Sequence, residues 1–280
     1  MLWKNTINEL LKIATKIRSY IGIGALTLLI LIVLFAMKAD GKSYVGFVTA
    51  SFEQTLSFNG KILNGNLIAF IIMQMLIVHV PLLISLVTGD LLSGEEAAGT
   101  IRMLATKPIS RTGIVLSKWF AATIYTLIMT IWLGFLSLFV AKWMFGTGDL
   151  IVLNSNGLLI IPNEDLLWRF VTAFFIAFLA LWTVATLCLA FSAFAKNSVG
   201  PIVSTMAVII LFTIIGTLDV SVFDHIKPFM FTTHMAAWRS IFEDPLPTSE
   251  IWESVVVLMA HIVGLLVLTI FRFNKKDITS

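Results

Sequence analysis

Long apolar runs without a single Asp, Glu, Lys or Arg alternate with short polar segments along this chain. The charge-free runs cover residues 19–37, 67–89, 119–141, 170–195, 197–218 and 254–271. Each is close to the roughly 20 residues that an α-helix needs to cross about 30 Å of hydrocarbon. The runs show no period-2 alternation, and an open sheet edge in lipid would leave backbone groups unpaired. The pattern therefore predicts six transmembrane helices, an all-α integral membrane fold, and no outer-membrane barrel. Only Lys196 separates the fourth run from the fifth, which predicts a tight helical hairpin. Ahead of the first run, Ile7, Leu10, Leu11, Ala14 and Ile17 recur at helical spacing, with Lys4, Lys12, Lys16 and Arg18 elsewhere on the wheel. This predicts an amphipathic helix over residues 1–18, lying in the membrane interface with its cations near anionic headgroups. A six-helix domain over 19–272 and a short tail over 273–280 complete a single membrane domain, without internal repeats or a long linker.

Composition sharpens the picture. Of 280 residues, 58% are hydrophobic and 12% charged, and the mean hydropathy is +0.97. A soluble domain carries roughly a quarter charged residues, so a soluble enzyme, a disordered chain and a secreted disulfide scaffold are excluded. The single cysteine, Cys188, rules out an internal disulfide framework and a cysteine-rich zinc site. A net charge of +3 is too small to point to nucleic acid, but the placement of the charges is informative. With both termini in the cytoplasm, the inner segments hold 12 of the 19 Lys+Arg, and the outer segments hold 11 of the 16 acids. That asymmetry follows the positive-inside rule. Trp3, Trp119, Trp143, Trp168 and Trp252 fall at span ends, as interfacial anchoring expects. The first apolar run begins too late and runs too long for a cleavable signal peptide.

Most chemical motifs are absent. Residues 36–43 (AMKADGKS) imitate a phosphate-binding loop, but Ala36 stands where the first glycine belongs, and the segment follows a transmembrane run rather than a strand. It reads as a polar outer loop, so no ATP or other cofactor site is expected in this chain. The histidines His79, His225, His234 and His261 form no zinc-hydrolase pattern, and no nucleophile elbow is present. His79 and His261 lie within spans and are candidate intramembrane polar sites; the plainer alternative is a neutral imidazole bonded to a neighbouring helix. Pro81 suggests a kink in the second span, and Pro201 a helix start in the fifth.

The segment after the second span is the most informative. Ser93 and Glu96 have capping-box spacing, so a helix is expected to begin at Gly94, and Pro108 to end it. Ala97, Ile101, Leu104 and Ala105 would share one face, with Glu95, Glu96, Arg102 and Thr106 mostly off it. The pattern alone fits either a solvated interfacial loop or a rigid lever for a cytosolic partner.

Glu96, the run Gly99-Thr100-Ile101-Arg102-Met103-Leu104, the run Lys107-Pro108-Ile109-Ser110-Arg111, and Lys118 together resemble the equivalent stretch of ABC-2 type transporter permeases, whose fold is the type V exporter fold. The ending at 271–278 (FRFNKKDI) is similar to that family's aromatic–basic–Asp-Ile tail. The resemblance implies that the helix between spans two and three is a coupling helix docking on an ATPase subunit. It carries that role to Glu95, Glu96, Gly99, Thr100, Arg102 and Leu104, and a supporting role to Pro108 and Arg111; Ile101 and Leu104 are the apolar candidates for burial in the partner. It also implies a re-entrant segment near 229–242, in which Arg239 must find a polar partner.

The expected function is then the permease subunit of an ATP-binding-cassette exporter in a bacterial or archaeal cytoplasmic (inner) membrane. Its expected partners are a second permease copy or paralogue and two separate ATPase subunits that bind ATP and Mg, with room for a periplasmic or extracellular accessory protein. The chain itself would not be an enzyme. The alternative is a non-transporting anchor that uses the same ATPase to act on a periplasmic or extracellular partner. A stand-alone ion-coupled carrier is disfavoured, because only two histidines lie deep in the spans.

Overall fold

The computed structural model describes residues 2–49, 62–100, 109–154 and 157–276. Helix α1 (Leu2–Thr15) turns at Lys16 into α2 (Ile17–Thr49). Then come α3 (Gly65–Leu76), α4 (Val80–Thr88) and α5 (Asp90–Ala97). Helix α6 (Arg111–Gly134) continues through a π-helical turn (Phe135–Val140) into α7 (Ala141–Phe145). An antiparallel hairpin follows, β1 (Leu150–Asn154) and β2 (Gly157–Ile161), with Leu150 opposite Ile161. Helices α8 (Asn163–Phe194) and α9 (Val199–Thr217) form the expected helical hairpin. Short turns, α10 (Ser221–Asp224) and α11 (Phe231–His234) among them, lead to α12 (Thr248–Lys275).

Among the described residues, five helices are long and apolar enough to cross a membrane, and a sixth crossing arises if the bent pair Gly65–Leu76 and Val80–Ala97 counts as one. The bend is 53°. It lies just before Pro81, which sits in the first turn of α4 and cannot donate a backbone hydrogen bond to the turn before it. Helix α8 is the central post: 72% of its apolar window is buried, against 11% for α9, 22% for α12 and 28% for α2. Ala173, Ala177, Ala180, Thr183, Ala185, Thr186, Ala190, Ser192 and Ala193 give it a surface of small side chains on which neighbours approach closely. Thr183 and Thr186 return their hydroxyls to the carbonyls of Leu179 and Trp182, both at 2.9 Å, so they bury no unpaired donor.

The described residues are mostly helical, consistent with an all-α integral membrane protein, with one short β-hairpin at 150–161 that the pattern did not predict. Three expectations change. Residues 36–43 are not a polar loop but part of α2, which bends at Asp40 (φ −139°, ψ 24°) and runs on to Thr49. Ser93 does not start a helix. It lies inside α5, with its hydroxyl donated to the Gly89 carbonyl at 2.6 Å, because the second span continues unbroken past the point where a cap was expected. The 229–242 segment is a string of short turns that lays Trp238 and Phe242, both 0% exposed, against Phe70 and Phe170, with ring centroids 5.0–5.6 Å apart. Within it Arg239 is exposed and lies over the Trp238 ring at 5.7 Å rather than on a polar partner. The buried Arg169 of α8 instead donates to the carbonyls of Ile241 (2.7 Å) and Glu243 (3.1 Å).

Candidate functional site

The ends of α1, α5 and α12, the start of α6 and the α8–α9 turn meet at one end of the bundle, and charged residues of this apolar chain gather there. On α1, Glu9 and Lys12 are three residues apart and share a face. Lys118 projects from the second turn of α6, and Glu95 from the last turn of α5. Lys118 Nζ bonds Glu9 Oε2 and Glu95 Oε1, each at 2.8 Å, while Lys12 Nζ bonds Glu9 Oε1 at 2.7 Å and Glu95 Oε1 at 2.8 Å. Two ammonium groups thus alternate with two carboxylates. The Lys118 side chain is 1% exposed, while that of Lys12 is half in water.

Removing such charges from water is expensive, and only their mutual pairing offsets it. Burial alone would raise the Glu9 carboxyl, but the Lys118 and Lys12 ammonium groups outweigh it and hold the pKa below its ordinary value. Partial burial likewise opposes charge on Lys12, and its bonds to Glu9 and Glu95 overcome that and push its pKa up. One oxygen, Glu95 Oε2, is buried without a hydrogen-bond partner among the described residues. A cavity of about 20 Å³ beside it, bordered by Glu9, Lys16, Arg18 and Asp90, is large enough for a single water.

One turn back along the second span, Asp90 accepts from Lys16 Nζ at 2.5 Å, from Arg18 at 2.8 Å, and from the Ser198 hydroxyl in the α8–α9 turn. At Gly94 a Cβ would sit 2.3 Å from Asp90 Oδ1, so a larger residue there would push the Asp90 carboxylate away from these partners. Ser192 of α8 ties the same stretch to the central post, donating to the Gly89 carbonyl at 2.7 Å and accepting from the Ser93 N–H at 2.9 Å.

Helix α5 ends at Gly99, whose φ of +67° suits glycine. The Thr100 N–H reaches the Glu95 carbonyl and the Gly99 N–H that of Glu96, both at 2.9 Å, which closes the helix in a Schellman arrangement. The tail of α12 folds over this point. Lys276 pairs with Glu96 and donates to the Ala193 carbonyl at 3.1 Å, and Arg111 donates to the carbonyls of Asn274 (2.9 Å) and Lys276 (2.8 Å).

The structure therefore brings together Glu95, Glu96, Gly99, Thr100 and Arg111. Glu95 faces inward, Glu96 is held by the tail, and Arg111 caps the end of α12. Ile101, Arg102, Leu104 and Pro108 lie outside the described residues. Sequence reasoning missed the internal partners Glu9, Lys12, Asp90, Ser198 and Lys276, and gave Lys118 no role of its own. The available signal was that Asp90 and Lys118 directly flank charge-free runs, and that Glu9 is the only acid before Asp40. His79, in the turn between α3 and α4, bonds the Met75 carbonyl four residues back (2.7 Å), and His261 bonds the Val257 carbonyl of its own helix (2.9 Å). Among the described residues, no group of three or more His, Cys, Asp or Glu side chains could hold a metal ion.

In comparison with known proteins, a family model described as ABC-2 family transporter protein matches residues 12–278. No curated protein matches this chain.

Proposed function

For a chain that belongs to the ABC-2 transporter family, and so is a multi-pass membrane component of an ABC system, we propose the role of permease subunit in an exporter. Two separate ATPase subunits would bind ATP and its magnesium ion, and a second permease copy or paralogue would complete the membrane part. The basic end would face the cytoplasm, as the distribution of Lys and Arg favours. The residues after Gly99, with Ile101 and Leu104 as apolar anchors and Arg102 at the rim, would dock on an ATPase subunit.

One observation carries this reading. The end of the second span, immediately before the expected docking segment, is ion-paired to α1, α6 and the tail of α12. A displacement applied after Thr100 would reach three elements through Glu95 and Glu96 rather than being absorbed by a slack loop. ATP closes its own subunits, and that closure supplies the free-energy difference which a conformational change in the permease requires.

The test is Leu104→Ala in the assembled complex. Truncating a buried anchor commonly costs about 2 kcal/mol, or roughly thirty-fold in affinity, so copurification of the ATPase should fall while the spans still insert. Unchanged copurification and unchanged transport-linked ATP hydrolysis would reject the docking assignment. Vesicle transport assays then separate an exporter from an anchor that only transmits force.

A further inference from the structure

Between α6, with its π-helical continuation, and α8 lies a cleft of about 480 Å³, within the roughly 300–1,000 Å³ typical of small-molecule sites. Ile131, Phe135, Leu138 and Phe139 form one wall, and Val171 and Phe175 belong to the other. Two features of the helix create the space. The π-helical turn carries Phe135, Leu138 and Phe139 out of α-helical spacing, and Gly134 presents no side chain towards the Phe174 ring. The rings of Phe135 and Phe139 stack at 5.2 Å and 11°, which makes that wall flat.

The chemistry of the lining restricts the occupant. Its only hydroxyl, on Thr130, is already donated to the Thr126 carbonyl at 2.9 Å. A sugar or peptide there would leave its own polar groups unpaired. The cleft opens outward, with Ile131, Phe135, Phe139, Val171 and Phe175 between 47% and 64% exposed. Both walls belong to helices long and apolar enough to cross the membrane, so the mouth meets hydrocarbon. Lys142 lies four residues beyond Leu138 and three beyond Phe139, in the first turn after the π-helical segment and just outside the cleft lining. Among the described residues no carboxylate pairs with it. Trp143 beside it is 82% exposed and Trp168 on the facing helix 44%, the placement of an interfacial belt.

The geometry points to a phospholipid site, with one acyl chain in the α6–α8 cleft and the headgroup phosphate at Lys142. An apolar trough with, beyond its end, a cation that no carboxylate pairs among the described residues, beneath interfacial tryptophans, matches both parts of that molecule.

The experiment uses the full chain with its ATPase in phosphatidylglycerol nanodiscs containing a trace of phosphatidylglycerol with a diazirine midway along one acyl chain. After illumination, labelled peptides are mapped by mass spectrometry. Labelling of 131–139 and 171–178 should exceed, several-fold, that of the equally lipid-exposed Val203, Ile210 and Ile214 on α9. Val171→Trp, which fills the cleft, should bring its labelling down to the α9 level. Lys142→Gln should reduce cleft labelling without changing α9. Equal labelling of cleft and α9 in the unaltered protein would mean ordinary bilayer contact and overturn the site. Cross-links from the cleft to a second copy of the chain would overturn it in favour of a protein occupant. Cleft labelling unaffected by Lys142→Gln would overturn the headgroup assignment.

Discussion

The two ends of this bundle solve the same problem with different chemistry. At the basic end, α1, α5 and α6 are joined by Glu9, Lys12, Glu95 and Lys118, all formally charged. At the hairpin end the links are mainly neutral side-chain amides and backbone, with one carboxylate, Asp149, accepting from the Asn163 N–H at 2.9 Å. Asn64 accepts from the N–H groups of Asn66 (3.0 Å) and Leu67 (3.1 Å) to cap α3, and donates to the Asp149 carbonyl at 2.7 Å. Asn66 donates to the Gly148 carbonyl at 2.6 Å and to Asn163 at 2.9 Å. Gly65 lies so close to α7 that a Cβ would stand 2.5 Å from the Lys142 Cα. Amide bonds of this kind persist through changes in proton or salt concentration, whereas ion pairs are strong only while every partner stays charged. The end next to the proposed ATPase contact is therefore the one that conditions can loosen.

Breaking the ionic end at its most buried member should have the largest effect. Lys118→Met leaves Glu9 and Glu95 without their buried partner, a loss of about 3–5 kcal/mol. Thermal unfolding in detergent should show it, together with protease access to the α1–α2 junction at Lys16. Adding Glu9→Gln and Glu95→Gln to that variant should recover most of the loss; no recovery would mean that Lys118 acts through packing instead. At the hairpin end, Gly65→Val forces backbone apart and should cost about 1–3 kcal/mol, with the same penalty at low and high salt.

Acidification should discriminate between the two ends more gently. The folded pKa of Glu9 is depressed, so its stabilisation is complete above the ordinary value of 4.5 and is lost as pH falls through the depressed one. The folded pKa of Lys12 is raised, so its contribution is complete below 10.5 and lost as pH rises through the raised one. Hydrogen exchange should show α1 protected between those limits and loosened below pH 4.5, with the amides around Asn64 and Asn66 unaffected. If α1 stays fully protected in acid, the ion pairs are not what holds it. The smallest effect is expected from Lys227→Ala, which removes a half-exposed pair with Asp224 and should change stability by no more than about 0.5 kcal/mol.

Much of this architecture was readable because a charge-free run of about twenty residues has few fates other than a spanning helix. The exceptions have physical reasons. The break in the second span is local, and Pro81 marked it only approximately. Ser93 and Glu96 misled because serine three residues before glutamate fits a helix start as well as a helix interior; the deciding group was Gly99, whose positive φ ends the helix on its far side. The short hairpin was hidden because Leu150–Ile161 is apolar without being long, and attention to spans passes over it. Lys118 looked like an ordinary interfacial cation at the start of the third span. Its burial depends on Glu9 and Glu95, which no local pattern connects to it.

That separation also bears on how the protein is made. Lys118 follows Glu9 by 109 residues, about 5–20 s of translation at roughly 5–20 residues per second. For that interval α1 has emerged with a carboxylate whose buried partner does not yet exist. The first helix must wait at the membrane surface, its tether completed only once the third span arrives.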